Sequence, residues 1–361
     1  MRLTRLIVRD VRNLEAIDWH PAEGLNILVG PNGSGKTSLL EAIHLAAVGR
    51  SFRTRDSSQV IRRGCGELAI GAWFTHRDGR AQHVRLHRDN GGTRILSDGR
   101  ELRAASELAR SLPVLALSQD GVARFRSSRG ERRALLDWGL FHVEHGFHVQ
   151  WSRYNAALQQ RNAALRRGLP AEPWLGPLVD SGEMITASRA AYLECLEARV
   201  SEFSLRLELD FGISISLHRG WREGRDLEAL WSASEDRDRG LGYTSAGPHR
   251  ADLMLQVDRK LGLENLSSGQ VKLLYLVLRL AQLDHLLSVV PASEPIIFFD
   301  DLAAELDDRH LNAVLRVFGD HQLQRFVTSP SGTRELVAPH ATVFHVEHGS
   351  LKAAATRDVH D

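Results

Sequence analysis

Apolar residues follow two rhythms along this chain, and the change from one to the other divides it. Short apolar runs at Leu3–Val8 and Leu25–Val29 predict strands, separated by the turn Pro21-Ala22-Glu23-Gly24. Leu68–Phe74, Gln82–His87 and Thr93–Leu96 are divided by Asp78-Gly79 and Asn90-Gly91-Gly92. Those dividers are hairpin signals and predict an antiparallel subdomain. Pro113–Ser118 is apolar enough for a strand of a central sheet. Past Gln119 the period becomes helical. Glu131–Asp137 opens one helix, and Trp151, Tyr154, Leu158 and Leu165 recur at spacings of three, four and seven before Pro170 and Pro173 close the run. Ile185, Leu193, Leu196, Val200 and Phe203 mark the next helix, with Tyr192 beside the stripe. Two adjacent long helices predict a hairpin packed on itself, with the aromatic positions in its core. Trp221–Gly242 is polar and reads as an exposed connection. An amphipathic helix over Val271–Leu287, a buried strand at Ile296–Phe299, a helix from Asp308 to Phe318 and a strand over Gln324–Ser329 follow.

Composition narrows the class. With 361 residues and 43% hydrophobic positions, two structural units with a sizeable core are expected. A net charge of +1 excludes no partner, because an even balance can hide a basic patch. Cys65 and Cys195 stand far apart without C-x-x-C spacing, which fits a reducing compartment. The 17 histidines are scattered, with no H-E-x-x-H or compact His/Cys group. The first ten residues alternate too much for a signal-peptide core, and Leu273–Leu287 is interrupted by Arg279, Gln282 and Asp284, so no membrane span is expected. A soluble, cytoplasmic protein is the expectation.

The chemistry begins at Gly30-Pro31-Asn32-Gly33-Ser34-Gly35-Lys36-Thr37, between a predicted strand and a predicted helix. In that context G-x-x-x-x-G-K-[ST] is a phosphate-binding loop. Asn32, Gly33 and Gly35 let successive N–H groups converge on one point at a helix N-terminus. Lys36 reaches the β- and γ-phosphates of a nucleoside triphosphate, and the Thr37 hydroxyl binds Mg²⁺. The acidic partner is Asp300-Asp301, at the end of the apolar run Pro295–Phe299. Asp300 is the natural Mg²⁺ ligand, while Asp301 either polarises the attacking water, caps the next helix, or is a carboxylate that supports the ligands from behind. Gln119, at the end of the Pro113–Ser118 strand, is either a glutamine joining Mg²⁺ and water to the following segment or an ordinary strand-end residue. Arg50, Arg53 and Arg55, soon followed by Arg62 and Arg63, are either a phosphate-facing rim or a solvated basic loop.

Read alone, Leu266-Ser267-Ser268-Gly269-Gln270 is an ordinary helix start with a capping serine. Lying between the phosphate loop and the acidic strand, it resembles the signature of ATP-binding-cassette ATPases. The resemblance implies that Ser267 and Gly269 contact the γ-phosphate held by the loop of a second subunit, so that ATP joins two head-to-tail heads. It also implies an interface-crossing loop at Glu305-Leu306-Asp307, where Asp307 serves the interface, caps the next helix, or both. The switch histidine of many cassette ATPases is replaced here by Thr328 or Ser329.

Over essentially its whole length the chain resembles the RecF family. The marks are Leu3-x-x-Leu6 with Arg12-Asn13, the phosphate loop running on to Leu39-Leu40-Glu41-Ala42, Arg132-Arg133-x-x-Leu136-Asp137, Tyr154-x-x-x-Leu158-x-Gln160-Arg161-Asn162, Gly247-Pro248-His249-Arg250, the signature, and Asp300-Asp301 with Glu305-Leu306-Asp307. Phe52, Ser118-Gln119, Ala251 and Ser329-Pro330 depart from the family pattern, but none of these departures replaces Lys36, Asp300 or Ser267. The implied fold is α/β, an ABC-type P-loop ATPase head with a mixed central sheet and an antiparallel β subdomain, plus an inserted helical domain and no long coiled coil. The head is expected over residues 1–120 and 241–361 and the insert over 121–240.

The resemblance further implies an ATP-dependent DNA-binding protein of replication and recombinational repair within the SOS response, using ATP and Mg²⁺ with slow, DNA-stimulated hydrolysis. It would pair on ATP at single-strand/double-strand junctions and gaps, act with RecR and RecO to load RecA, and associate with the nucleoid on damage. Candidate DNA contacts are Arg50, Arg53, Arg55, Arg124, Arg126 and Arg129, with Arg132 and Arg133 expected to be partly structural. The competing readings are an ATPase subunit of a different ABC-type complex, or an ATP-binding regulator without meaningful turnover.

Overall fold

A computed structural model describes residues 1–54, 56–222, 224, 226–258, 260–301, 308–319, 323–330 and 341–353. The chain divides into two compact units, residues 1–123 with 291–361 and residues 124–290.

The first unit holds two sheets. One is antiparallel and contains β1 (Arg2–Val11), β2 (Leu14–Trp19), β4 (Leu68–Thr75), β5 (Ala81–Asp89), β6 (Gly92–Ser97) and β7 (Arg100–Glu101), in the order β2-β1-β4-β5-β6-β7. Burial alternates strictly along β4, as a sheet with one covered face requires. The other is built on β3 (Leu25–Val29), β8 (Val114–Ser118), β12 (Ile296–Asp300), β13 (Arg325–Ser329), β14 (Thr342–Glu347) and β15 (Ser350–Ala353), in the order β15-β14-β3-β13-β12-β8. Its β14, β3, β13, β12 and β8 run parallel, and only β15 is antiparallel. The runs Leu25–Val29 and Ile296–Asp300 are buried at every position, the mark of strands covered on both faces.

Helix α1 (Lys36–Val48) packs against strands of both sheets, so it has almost no polar face; Leu39, Leu40, Ile43 and Ala46 are wholly buried. Its core joins Leu6 and Val8 of β1 to Phe298 and Phe326 of the parallel sheet. Helix α2 (Ala105–Ser111) packs on α1, and α10 (Asp308–Gly319) buries Ala313, Val314 and Val317.

Helix α3 (Gln119–Ser127) starts in the first unit and ends in the second. The second unit contains α4 (Arg129–Val143), α5 (Phe147–Arg166), α6 (Leu175–Arg206), α7 (Leu227–Ala233), α8 (Glu235–Leu241) and α9 (Ser268–Val289). A sheet of β9 (Ile213–His218), β10 (Asp252–Val257) and β11 (Lys260–Leu261) accompanies them. The expected hairpin is present as α5 packed on α6, and α6, the longest helix among the described residues, spans 32 residues. No long coiled coil occurs among the described residues, and no helix among them is long and apolar enough to cross a membrane.

Compactness draws the boundary between the units differently from motif order. Residues 241–290 group with the helices because β10 pairs with β9, and α9 packs on α6 and α4. Three local expectations change. Trp221–Gly242 is not simply an exposed connection: it carries α7 and α8, Trp231 is wholly buried with its indole donating to the Ala246 carbonyl, and Asp238 is wholly buried against Arg161. Trp151 is 42% exposed, and the buried face of α5 runs instead through Tyr154, Ala157, Arg161 and Leu165. Helix α9 is buried on nearly all sides, polar Lys272, Arg279 and Gln282 included.

Candidate functional site

The four parallel strands β3, β13, β12 and β8 end on one edge of the sheet, where ligands of open α/β sheets bind. The phosphate loop leaves β3 there, held to β13 by the Gly30 N–H on the Ser329 carbonyl at 3.3 Å. Gly35 has φ +116°, and a Cβ on it would lie 2.8 Å from Leu14 Cδ2. Glycine is therefore required by backbone angle and by space. Pro31, Asn32 and Gly33 form the exposed crown. Asn13 braces the loop: its Nδ2 donates to the Gly33 carbonyl at 2.8 Å, and its Oδ1 accepts from Ser38 Oγ at 2.7 Å. Lys36, 5% exposed, donates through Nζ to the carbonyls of Gly30 (2.7 Å) and Pro31 (3.1 Å). Burial lowers its pKa against the opposing pull of the Asp301 and Asp300 carboxylates.

The acidic side of the site meets this loop through the register of the strands. Thr37 Oγ1 donates to Asp300 Oδ1 at 2.8 Å, joining residues 263 positions apart. Burial pushes the Asp300 carboxyl up to about 6, the Asp301 charge adds to the rise, and the Thr37 and Thr328 hydroxyls and Arg53 oppose it. Asp301, half-buried, has φ +51°, an uncommon backbone state for a side-chain-bearing residue. Its N–H donates to Thr328 Oγ1 at 2.8 Å, while that hydroxyl donates to Asp300 Oδ1 at 3.0 Å. Thr328 thus orders both aspartates. By sequence Thr328 shares with Ser329 the place where a histidine is usual, and nothing local marks it as a hub. Gln119 is exposed and follows Ser118, the β8 partner of Asp300. Asp307 lies outside the described residues.

Glu41, quoted above only as part of the phosphate-loop mark, is a carboxylate inside the apolar helix α1. Glu41 is wholly buried, accepting from Arg12 Nε and Nη2 at 2.8 and 2.9 Å and from Ser51 Oγ. These contacts hold its pKa below the usual carboxylate value despite burial. Arg53 Nη1 lies 3.6 Å from Glu41 Oε2 and Arg53 Nε 3.9 Å from Asp120. Its charge is also felt by Asp300, so Arg53 stands among the carboxylates of the nucleotide side. Arg50 is exposed, and Arg55 lies outside the described residues.

In the second unit, Ser267 is the N-cap of α9 in a capping box: its Oγ accepts from the Gln270 N–H at 3.2 Å, and Gln270 Oε1 accepts from the Ser267 N–H at 3.0 Å. Ser267 and Ser268 are exposed and Gly269 is half-buried. Of the candidate arginines here, Arg124 pairs with Glu131 at 3.5 Å, Arg126 donates to the Leu266 carbonyl at 3.1 Å, and Arg129, 75% exposed at its side chain, lies 3.6 Å from Asp252.

The motifs most specific to the resemblance converge on a different feature, a buried polar network in the same unit. Arg132 grips Asp252 with two bonds of 2.8 Å, and Arg133 donates to the Ala251 carbonyl at 2.9 Å. Arg189 grips Asp137 likewise and donates to the Pro248 carbonyl at 2.8 Å. His249 Nε2 faces the Thr244 carbonyl at 2.9 Å, so it carries the proton, and Nδ1 accepts from the Tyr154 hydroxyl at 2.6 Å. Burial lowers the His249 pKa to about 4. Arg161 donates to Asp238 (2.8 Å) and Thr244 (2.6 Å), and Asn162 Oδ1 accepts from the Thr244 N–H at 2.8 Å. These residues shape the unit that carries the signature helix.

A family model described as RecF/RecN/SMC N terminal domain matches residues 2–350. The chain is 39% identical over 361 residues to the DNA replication and repair protein RecF of Stutzerimonas stutzeri, covering 97% of each. It is 36% identical over 357 residues to the protein of that name from Edwardsiella ictaluri, covering 97% of this chain and 99% of the relative. Among solved structures, the recombination mediator protein RecF-ATP of the RecFOR pathway superposes with a TM-score of 0.88 at 23% identity, covering 98% of both chains. The Smc head domain from Pyrococcus furiosus does so at 0.58 and 16% identity, covering 98% of this chain and 96% of that one. At these identities the structural likeness speaks to the fold, an ABC/SMC-like ATPase head.

Proposed function

The chain belongs to the RecF family, and from that premise we propose that it is an ATP-binding DNA-repair protein whose nucleotide site is completed by a second copy of itself. The observation that carries the reading is the Thr37–Asp300 contact of 2.8 Å, which brings a hydroxyl and a buried carboxylate together beside a phosphate-binding loop. A buried carboxylate whose pKa is raised by desolvation is suited to a divalent cation. Thr37 and Asp300 would hold Mg²⁺, which when bound neutralises phosphate charge.

The chain's own residues then have distinct tasks. Lys36 exchanges the Gly30 and Pro31 carbonyls for phosphate oxygens, and the crown of Asn32, Gly33 and Gly35 supplies backbone N–H donors. Thr328 fixes both aspartates. Asp301 orients a water at the γ-phosphate, and Gln119 approaches from the neighbouring strand end. Arg53 offsets negative charge beside Asp300. Ser267 and Gly269, on the N-terminus of α9, are the groups a partner molecule's triphosphate would meet, and the positive end of that helix favours the anion. Asp307 serves the same interface.

ATP then acts as a pairing switch with slow, DNA-stimulated hydrolysis. The paired form binds duplex and gapped DNA through arginines such as Arg50 and Arg129, without reading sequence. Its partners would be RecR and RecO in loading RecA, on the chromosome after damage. Relatives bearing the RecF name, and the RecFOR pathway to which the solved homologue is assigned, support this assignment.

Light scattering or sedimentation with and without ATP and gapped DNA tests the reading. A dimer that requires ATP, and is lost in Lys36→Met and Ser267→Arg, is expected. A monomer under all conditions, or normal pairing by Ser267→Arg, would overturn it.

A further inference from the structure

The peptide unit joining Leu266 to Ser267 is held at both of its polar atoms. Its carbonyl accepts from Arg126 Nη2 at 3.1 Å, and its N–H donates to Gln270 Oε1 at 3.0 Å. Such a plane has little freedom to rotate, and the plane sets where the Ser267 side chain stands. The Ser267 hydroxyl accepts one bond, from the Gln270 N–H at 3.2 Å. A hydroxyl has one donor and two acceptor sites, so this cap bond leaves its proton available to an incoming anion.

Arg126 is itself held by its neighbours. Phe125 is buried with its ring 5.4 Å from that of Tyr275, on α9. Arg132 Nη1 donates to the carbonyls of Phe125 (3.0 Å) and Arg126 (3.3 Å), and Arg132 is locked by its two bonds to Asp252. A continuous chain of contacts therefore runs from Asp252 through Arg132 and Arg126 to the backbone of Ser267. An arginine whose chief duty were to DNA phosphate would have no need of a backbone carbonyl one residue before the signature serine.

We propose that Arg126 is a positioning residue for the signature: it orients Ser267 toward a partner molecule's triphosphate and is not primarily a DNA contact. The inference rests on the head-to-tail pairing proposed above.

The test uses the full chain and compares wild type, Arg126→Ala, Arg126→Lys and Gln270→Ala, first without DNA and then with duplex DNA across a salt series. Binding of a fluorescent ATP analogue to the monomer is measured beside the ATP-dependent monomer–dimer equilibrium by sedimentation. Nucleotide affinity should remain within about twofold, while pairing of Arg126→Ala weakens about tenfold or more, as expected for loss of one charge-assisted hydrogen bond. Gln270→Ala, which frees the other end of the same peptide, should weaken pairing similarly, and Arg126→Lys, which keeps a donor on a long stem, should recover most of it. Should Arg126→Ala fail to melt cooperatively, Gln270→Ala and Arg126→Lys decide the matter. Wild-type pairing by Arg126→Ala or Gln270→Ala overturns the proposal, and a DNA salt dependence reduced in Arg126→Ala by about one phosphate contact would make it a DNA residue instead. If wild type itself stays monomeric with ATP, or Ser267→Arg pairs normally, the head-to-tail reading fails first and takes the proposal with it.

Discussion

Thr328 Oγ1 donates to Asp300 Oδ1 at 3.0 Å across the adjacent parallel strands β13 and β12, and accepts the backbone N–H of Asp301 at 2.8 Å. One wholly buried hydroxyl therefore sets the orientation of both candidate acids. Thr328→Val keeps the shape and removes both bonds. Nucleotide hydrolysis and Mg²⁺-dependent ATP affinity should fall, and unfolding stability should drop by about 1–3 kcal/mol, the usual consequence of a buried polar group left unpaired. Thr328→Ser should restore most of both. Calorimetry and nucleotide titration check this, and a valine variant with wild-type Mg²⁺ dependence would remove Thr328 from the site.

Lys36→Met should abolish measurable triphosphate binding, since each hydrogen bond to a charged group is worth about 1.5–3 kcal/mol. The variant should still fold, because Met fills the buried stem's volume. Isothermal titration with ATP and a melting curve separate the two effects.

Arg161 and Asp238 are both wholly buried and bonded at 2.8 Å. Arg161→Met leaves a buried carboxylate without its cation and should destabilise the helical unit by about 3–5 kcal/mol. Arg161→Met with Asp238→Leu should recover much of that loss. Denaturant titration of the single and double variants reads it directly.

Two buried histidines should lower the stability of the protein as pH falls below 6.5. His249 and His44 are each lowered by burial from 6.5 to about 4. Their neutral forms are favoured in the fold, so the unfolded chain binds more protons between those values. Stability from each is fully present above pH 6.5 and is lost progressively as pH falls toward about 4, amounting to about 3 kcal/mol per histidine at the acid end. His249→Gln should flatten the slope of melting temperature against pH in that window. An unchanged slope would show that His249 is already protonated in the fold.

Exposed and buried arginines should separate cleanly in DNA binding. Arg50→Ala and Arg129→Ala should leave stability nearly unchanged and lower the salt slope of DNA affinity by about one each. Arg132→Ala should instead destabilise the fold by about 3 kcal/mol, because the buried Asp252 loses its two-bond partner and keeps only Arg129 at 3.6 Å. Melting curves and affinity measured across a salt series distinguish the two classes.

The elements were legible where their pattern was long or chemically marked. The Leu68–Leu96 hairpins, the α5–α6 pair and the four strands around the phosphate loop follow from alternation, period and turn residues. Failures fell where burial contradicted composition. The polar stretch around Glu235–Gly240 hides Asp238 because Arg161 neutralises it, and Trp151 is exposed although its spacing matches a core stripe. Charge marks a residue as a surface one only while its partner is unknown.

What the sequence by itself determined is the phosphate loop and the capping serine at the start of α9, because each is local. Gly33 and Gly35 adopt positive φ within a few residues of Lys36, and Ser267 finds Gln270 one helical turn away. Only the tertiary structure decided that Thr37 faces Asp300, that Thr328 binds both aspartates, that Arg53 stands among carboxylates, and that Arg126 holds the peptide before Ser267. Those relationships join residues far apart in the chain through strand register and helix packing. Neither is written in any short run of residues.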